Sequence, residues 1–188
     1  MKAPLSRFAL QRAVQLLRSG GVLAYPTEAV YGLGCDPLNR HAVERLLDIK
    51  QRPVQKGLIL IASRFQQLTP FIEAQPPEIQ RRLDESWPGP VTWLVPANAA
   101  TPRWLRGDHS SLAVRVTAHP LAAALCEAFG GAIVSTSANP AGGMPARTAL
   151  QARLRCPAVD LILHGATGRL ARPTAIRDAV TGRVFRPA

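Results

Sequence analysis

Apolar positions along the 188-residue chain fall into two alternating rhythms, one of helical period and one of short continuous runs. Leu10, Val14 and Leu17 recur at helical spacing behind Ser6, which predicts a capped helix over 7–18 that Gly20 and Gly21 end. The run at 22–25 reads as a buried strand. Val43, Leu46 and Leu47 share one face of a helix predicted over 41–49. LILIA at 58–62 is apolar throughout, as in a strand covered on both faces. A helical pattern over 76–84 stops at Pro88-Gly89-Pro90, and a strand follows over 91–95. Residues 96–111 read as a polar, proline-containing loop. Beyond it the pattern predicts a strand over 112–116, a helix over 120–129 and a strand over 132–135. A small-residue loop over 137–147, a helix near 148–153, a strand near 159–163 and a terminal pair at 175–178 and 184–186 complete it. Interleaved helices and strands without repeats define an α/β (α+β) fold, a single domain with a twisted mixed sheet flanked by helices.

Composition narrows the class. Apolar residues make up 47% of the chain and charged residues 19%, a globular balance. No segment approaches the roughly 20 apolar residues of a membrane span, and no secretory leader is evident, so a cytoplasmic protein without membrane attachment is expected. Cys35, Cys126 and Cys156 are scattered, which argues for buried thiols over a disulfide framework. His41, His109, His119 and His164 lack ligand spacing, and no metal site is expected. Lys and Arg exceed Asp and Glu by 23 to 12, a net charge of +11 that favours nucleic acids, nucleotides or other anions.

No phosphate-cradling G-x-x-x-x-G-K-[ST] loop is present, and Gly32-Leu33-Gly34 has Pro37 where a dinucleotide fingerprint needs a third glycine. Other stretches can bind an anion. Pro53 pushes Arg52 toward an extended backbone, in which Lys50 and Arg52 would point the same way, a point charge beside a planar fork. A solvated basic helix end explains the same residues. Ser135-Thr136-Ser137-Ala138-Asn139 follows an apolar strand and offers uncharged hydrogen-bonding groups; it is either a ligand loop or a self-satisfied turn. Alternation in SLAVRV puts Ser111, Ala113 and Arg115 on one face, which is solvated or turned into a polar cleft. YPTEAVYGLGCD at 25–36 reads as a loop after a strand. Its Thr27 and Glu28 share a sheet edge with Ser135–Asn139 if the two strands run parallel. Together these loops describe a cleft for a small anionic ligand.

YPTEAVYGLG, KQRP, WPGPVT, LAVRVTAHP, STSAN and TAIRDAVTGRVFR stand in the order and spacing of the YrdC/TsaC family, and from 22 to 186 the chain resembles its short bacterial form. The resemblance implies a YrdC-like fold with a basic concave surface, as a single domain over 1–188 without the extra C-terminal domain of longer relatives. It implies a threonylcarbamoyl-AMP synthase, which joins L-threonine, bicarbonate or CO2 and ATP into L-threonylcarbamoyladenylate and pyrophosphate. Mg²⁺ would accompany the ATP. The product would pass to a separate transferase complex for the t6A modification of tRNA. By the same resemblance Lys50, Arg52, Ser137 and Asn139 form the catalytic set. Thr27, Arg115, Ser137 and Thr174 would contact threonine. Lys50, Arg52, Ser111, Asn139, Arg147 and Arg186 would contact ATP. A module that binds tRNA or double-stranded RNA without turnover is the alternative that the charge supports, and a threonine or nucleotide sensor is a third.

Overall fold

The computed structural model describes residues 6–187. Six α-helices are assigned among them: α1 (Arg7–Arg18), α2 (Arg40–Lys50), α3 (Pro77–Asp84), α4 (Arg103–Arg106), α5 (Pro120–Phe129) and α6 (Ala149–Arg155). Nine strands form one mixed sheet: β1 (Leu23–Pro26), β2 (Tyr31–Gly34), β3 (Ile59–Ala62), β4 (Val91–Pro96), β5 (Ser111–Val116), β6 (Ile133–Ser137), β7 (Leu161–Ile162), β8 (Ala175–Asp178) and β9 (Val184–Arg186). Their order across the sheet is β7-β1-β2-β6-β3-β5-β4-β8-β9. No helix of the described residues is long and apolar enough to cross a membrane.

Polar caps fix several helix starts, Ser6 as the sequence predicts and Asn39 and Thr148 in addition. The Ser6 hydroxyl accepts from Ala9 N at 3.1 Å, Asn39 Oδ1 accepts from Ala42 N at 3.1 Å, and Thr148 Oγ1 accepts from Gln151 N at 3.1 Å. Strand alternation then divides the core. Leu23, Tyr25, Ile61 and Ile133 pack under α1 and α5 on one face. Ala24, Leu33, Leu60 and Val134 pack on the other, with Leu46 and Leu47 of α2 and Leu105 of α4. Central strands buried on both sides explain the uninterrupted apolar run at 58–62.

Three expectations change. Residues 25–36 are not a loop but the end of β1, a turn and the second strand of a hairpin, in which β1 and β2 pair antiparallel with Tyr25 opposite Gly32. The glycines hid this strand, yet they are there for space: a Cβ on Gly34 would sit 2.7 Å from Tyr25 Cε1 and 2.8 Å from Val134 O. Ser135 to Ser137 belong to β6, paired with β2 through Gly32–Ser137 and Leu33–Thr136, so the hydroxyl-rich stretch is the end of a strand rather than a free loop. The polar segment at 96–111 contains α4, a single turn whose one buried side chain, Leu105, is too little for a periodic signal. The parallel condition holds. β1 and β6 both run antiparallel to β2, so their C-terminal ends, with Thr27 and Ser137, lie at one sheet edge.

Candidate functional site

A cavity of about 580 Å³ opens at that edge, bounded by the 27–30 hairpin tip, the end of α2, the ends of β5 and β6, and residues 173–186. Lys50, Arg52, Ser111, Arg115 and Ser137 line it, as do Thr27, Thr174 and Arg186. Residues from the first third of the chain and from its later strands thus meet around one space.

Lys50 is the last residue of α2, and Gln51 stops the helix in the left-handed region at φ 51°. The two cations therefore do not share a face of an extended segment, contrary to the sequence reasoning; the helix end and the sharp reversal behind it bring both to the cavity. The Lys50 side chain is 4% exposed, which excludes a solvated helix end. Its Nζ donates among four acceptors: Ser137 O at 2.6 Å, Ser137 Oγ at 2.9 Å, Asn139 O at 2.8 Å and Asn139 Oδ1 at 3.1 Å. Burial, with the Arg52 charge alongside, pushes the amine down to about 8. Asn139 does not line the cavity. It stands behind Lys50 and closes its own turn, its Nδ2 donating to Pro140 O at 2.7 Å and Gly143 O at 2.8 Å.

Arg52 Nε and Nη2 donate to Gly57 O at 3.2 and 3.0 Å, holding the short turn Val54–Lys56. Burial lowers its guanidinium and that of Arg186 below the ordinary arginine value. Arg186 Nε and Nη2 donate to Thr174 O at 3.2 and 2.8 Å, and the Thr174 hydroxyl in turn accepts from Arg115 Nη1 at 3.1 Å.

Arg115 settles the question that alternation left open, because it is buried and turned into the cleft. Nη1 also donates to Thr92 Oγ1 at 2.9 Å, and Nη2 lies 3.4 Å from Glu28 Oε2. Burial would raise the Glu28 carboxyl, but Arg115 and the 2.6 Å hydrogen bond from Thr117 Oγ1 outweigh it and hold it below the usual range. Glu28 Oε2 and Arg115 Nε have no hydrogen-bond partner among the described residues. The Thr27 hydroxyl donates to Val30 O at 2.7 Å, which leaves its lone pairs for a donor in the cavity.

Arg147 is not brought to the cavity wall; it is exposed and its guanidinium donates to Ala171 O. Its partner belongs to residues 163–174, which cross from β7 at one sheet edge to β8 near the other. Gly168 N pins this crossing to Thr27 O at 2.9 Å. Lys56, Arg106, His109 and Asp178 line the cavity without having been anticipated. Arg106 and His109 lie in the segment that reads as a plain loop, where the apolar pair Trp104-Leu105 is the one sequence signal of a packed wall. Cys35, Cys126 and Cys156 are buried thiols.

Comparison with known proteins identifies the family and the fold. The Sua5/YciO/YrdC family model, described as "Telomere recombination", matches residues 15–188. The chain belongs to the Sua5/YciO/YrdC family. It is 57% identical over 184 residues to the threonylcarbamoyl-AMP synthase of Alkalilimnicola ehrlichii, covering 96% of each chain. It is 52% identical over 177 residues to the enzyme of that name from Cellvibrio japonicus, covering 94% of each. Among solved structures, P. abyssi Sua5 complexed with L-threonine superposes with a TM-score of 0.88 at 30% identity, over 94% of this chain and 52% of the Sua5 chain.

Proposed function

We propose that this chain is a threonylcarbamoyl-AMP synthase. The observation that carries the reading is the cavity itself, where Lys50, Arg52, Arg115 and Arg186 converge with the hydroxyls of Thr27, Ser111, Ser137 and Thr174. In the reaction, the neutral threonine amine combines with bicarbonate, losing water, or with CO2, losing a proton to solvent, to give a carbamate. A carbamate oxygen then attacks the α-phosphorus of ATP, and the bond to the β-phosphate breaks to release pyrophosphate. Two carboxylate-like groups and a triphosphate repel one another, and assembling them is the main task of the site.

Arg115, already oriented by Thr92 and Thr174, takes the threonine carboxylate. Thr27 and Thr174 offer hydroxyls to the threonine side chain and amine; a site built for a hydroxyl rejects valine because its own groups would be left unpaired. Lys50, Arg52, Ser111 and Arg186 face the phosphates. Asn139 and Arg147, away from the wall, act at one remove: Asn139 by holding the Lys50 ammonium, Arg147 by tethering the 163–174 crossing.

Mg²⁺ fits as a companion of the nucleotide. Asp178 is the lone carboxylate lining the cavity among the described residues, and its Oδ1 already accepts from Val180 N and Thr181 N. Phosphate oxygens rather than a protein cage would hold the ion, which would neutralise their charge. The adenylate would pass to a separate transferase complex for t6A formation on tRNA.

The test is to incubate the purified chain with ATP, Mg²⁺, L-threonine and labelled bicarbonate. Labelled threonylcarbamoyladenylate should appear together with pyrophosphate. Pyrophosphate without a label-bearing threonine adenylate would reject the reading, as would retention of label in the complete absence of threonine.

A further inference from the structure

The cations that line the cavity differ in how far they are committed to the protein. Lys50 is shared among four acceptors. Arg115 faces Glu28 and two threonines. Arg52 and Arg186 each spend two guanidinium nitrogens on backbone carbonyls. Arg106 is half-buried and donates only through Nη1, to His109 O at 2.9 Å; among the described residues its Nε and Nη2 have no partner, nor does Lys56 Nζ. The least committed donors therefore sit on the wall formed by 54–57 and 103–109.

That wall is rigid. Leu58 N donates to Leu105 O at 2.8 Å and Asp108 N to Gln55 O at 3.2 Å. Gly57 and Gly107 have φ of 61° and 65°, and a Cβ on either would collide with the facing backbone, at 2.9 Å from Arg106 O and 2.2 Å from Gln55 O. Two segments locked this closely hold Lys56 and Arg106 on one side of the cavity, next to the Lys56 and Gly57 carbonyls that Arg52 grips.

We infer that Arg106, assisted by Lys56, is a binding residue for the terminal phosphates of the nucleotide and for the departing pyrophosphate. This rests on the proposed reaction. A planar guanidinium with a free edge and a neighbouring ammonium suit a polyphosphate, whose oxygens accept several charge-assisted hydrogen bonds. A single carboxylate would be served by Arg115 alone.

Inorganic tripolyphosphate is the probe, measured by calorimetry on the full chain with Arg106→Gln, Lys56→Gln and, as a control, Arg103→Gln. Arg103 lies on the same helix, but it pairs with Asp108 at the surface and does not line the cavity. Tripolyphosphate affinity should fall about tenfold or more in Arg106→Gln and measurably in Lys56→Gln. AMP and threonine affinities and the melting temperature should stay at wild-type values, and Arg103→Gln should bind like wild type. Equal affinity in wild type and Arg106→Gln, an equal loss in Arg103→Gln, or a wild type that binds no tripolyphosphate would each overturn the assignment. A wild type that binds tripolyphosphate through Arg106 yet makes no threonine adenylate would defeat the proposed reaction and leave the polyphosphate wall standing.

Discussion

Lys50 carries the sharpest consequence at the scale of single residues. Its amine titrates near 8 in the fold against 10.5 for a free lysine. Between those values the unfolded chain holds more protons than the folded one, so stability rises with pH across that window, and below pH 8 the buried charge works against the fold. The urea midpoint of wild type relative to Lys50→Met should therefore increase from pH 7.5 to pH 10; a difference that stays flat or falls would mean that the amine is not desolvated as described. Turnover should run the other way. If the ammonium opposes phosphate charge, kcat/KM for ATP, which reports the free enzyme, declines as pH passes about 8. Arg115→Gln should raise the KM for threonine about tenfold or more and leave the KM for ATP nearly unchanged, because a charge-assisted pair to a carboxylate is lost. Matching rises in both constants would place Arg115 elsewhere in the chemistry. Arg115 was half legible in the sequence: alternation assigned its face, but only burial beside Glu28 shows which way that face looks. Arg106 was not legible, since one arginine in an arginine-rich chain carries no periodic or motif signal.

Among the elements, those with long periodic faces or polar caps were readable from the sequence. α1 and α5 fall within the predicted bounds, and β3 emerges from its apolar run. The elements that shape the site were harder to see. β2 reads Tyr-Gly-Leu-Gly, and its glycines erase the alternation that would mark a strand: the Tyr25 ring and the Val134 carbonyl fill the space beside Gly34, and Thr27 and Ser135 crowd Gly32. Tertiary packing, not local propensity, decides such a segment. Gly34→Ala should accordingly cost about 1–3 kcal/mol by overpacking against Tyr25 and the Val134 carbonyl. Chemical denaturation checks this, and an unchanged midpoint would show that the hairpin has slack. α4 escaped notice for a different reason, being one turn long with a single buried anchor.

For the whole molecule, a net charge of +11 invites polyanions in general, whereas the cavity demands particular ones. Salt separates the two. Threonine affinity should change less than about twofold between 50 and 300 mM salt, because the buried Arg115 is weakly screened, while RNA held by surface arginines should weaken steeply. A threonine affinity that collapsed with salt would point to a superficial site. The family and its overall architecture were legible because six short motifs recur in order. The convergence of the Thr27 and Ser137 segments on one sheet edge followed only once β1 and β6 were seen to run the same way. The most direct test of that convergence is a crystal structure of the chain with L-threonine and a non-hydrolysable ATP analogue. The threonine carboxylate should lie within hydrogen-bond distance of Arg115 and the α-phosphate beside the threonine amine, both inside the cavity that Lys50 and Ser137 border. Threonine and nucleotide in separate places, or either one outside that cavity, would contradict the account.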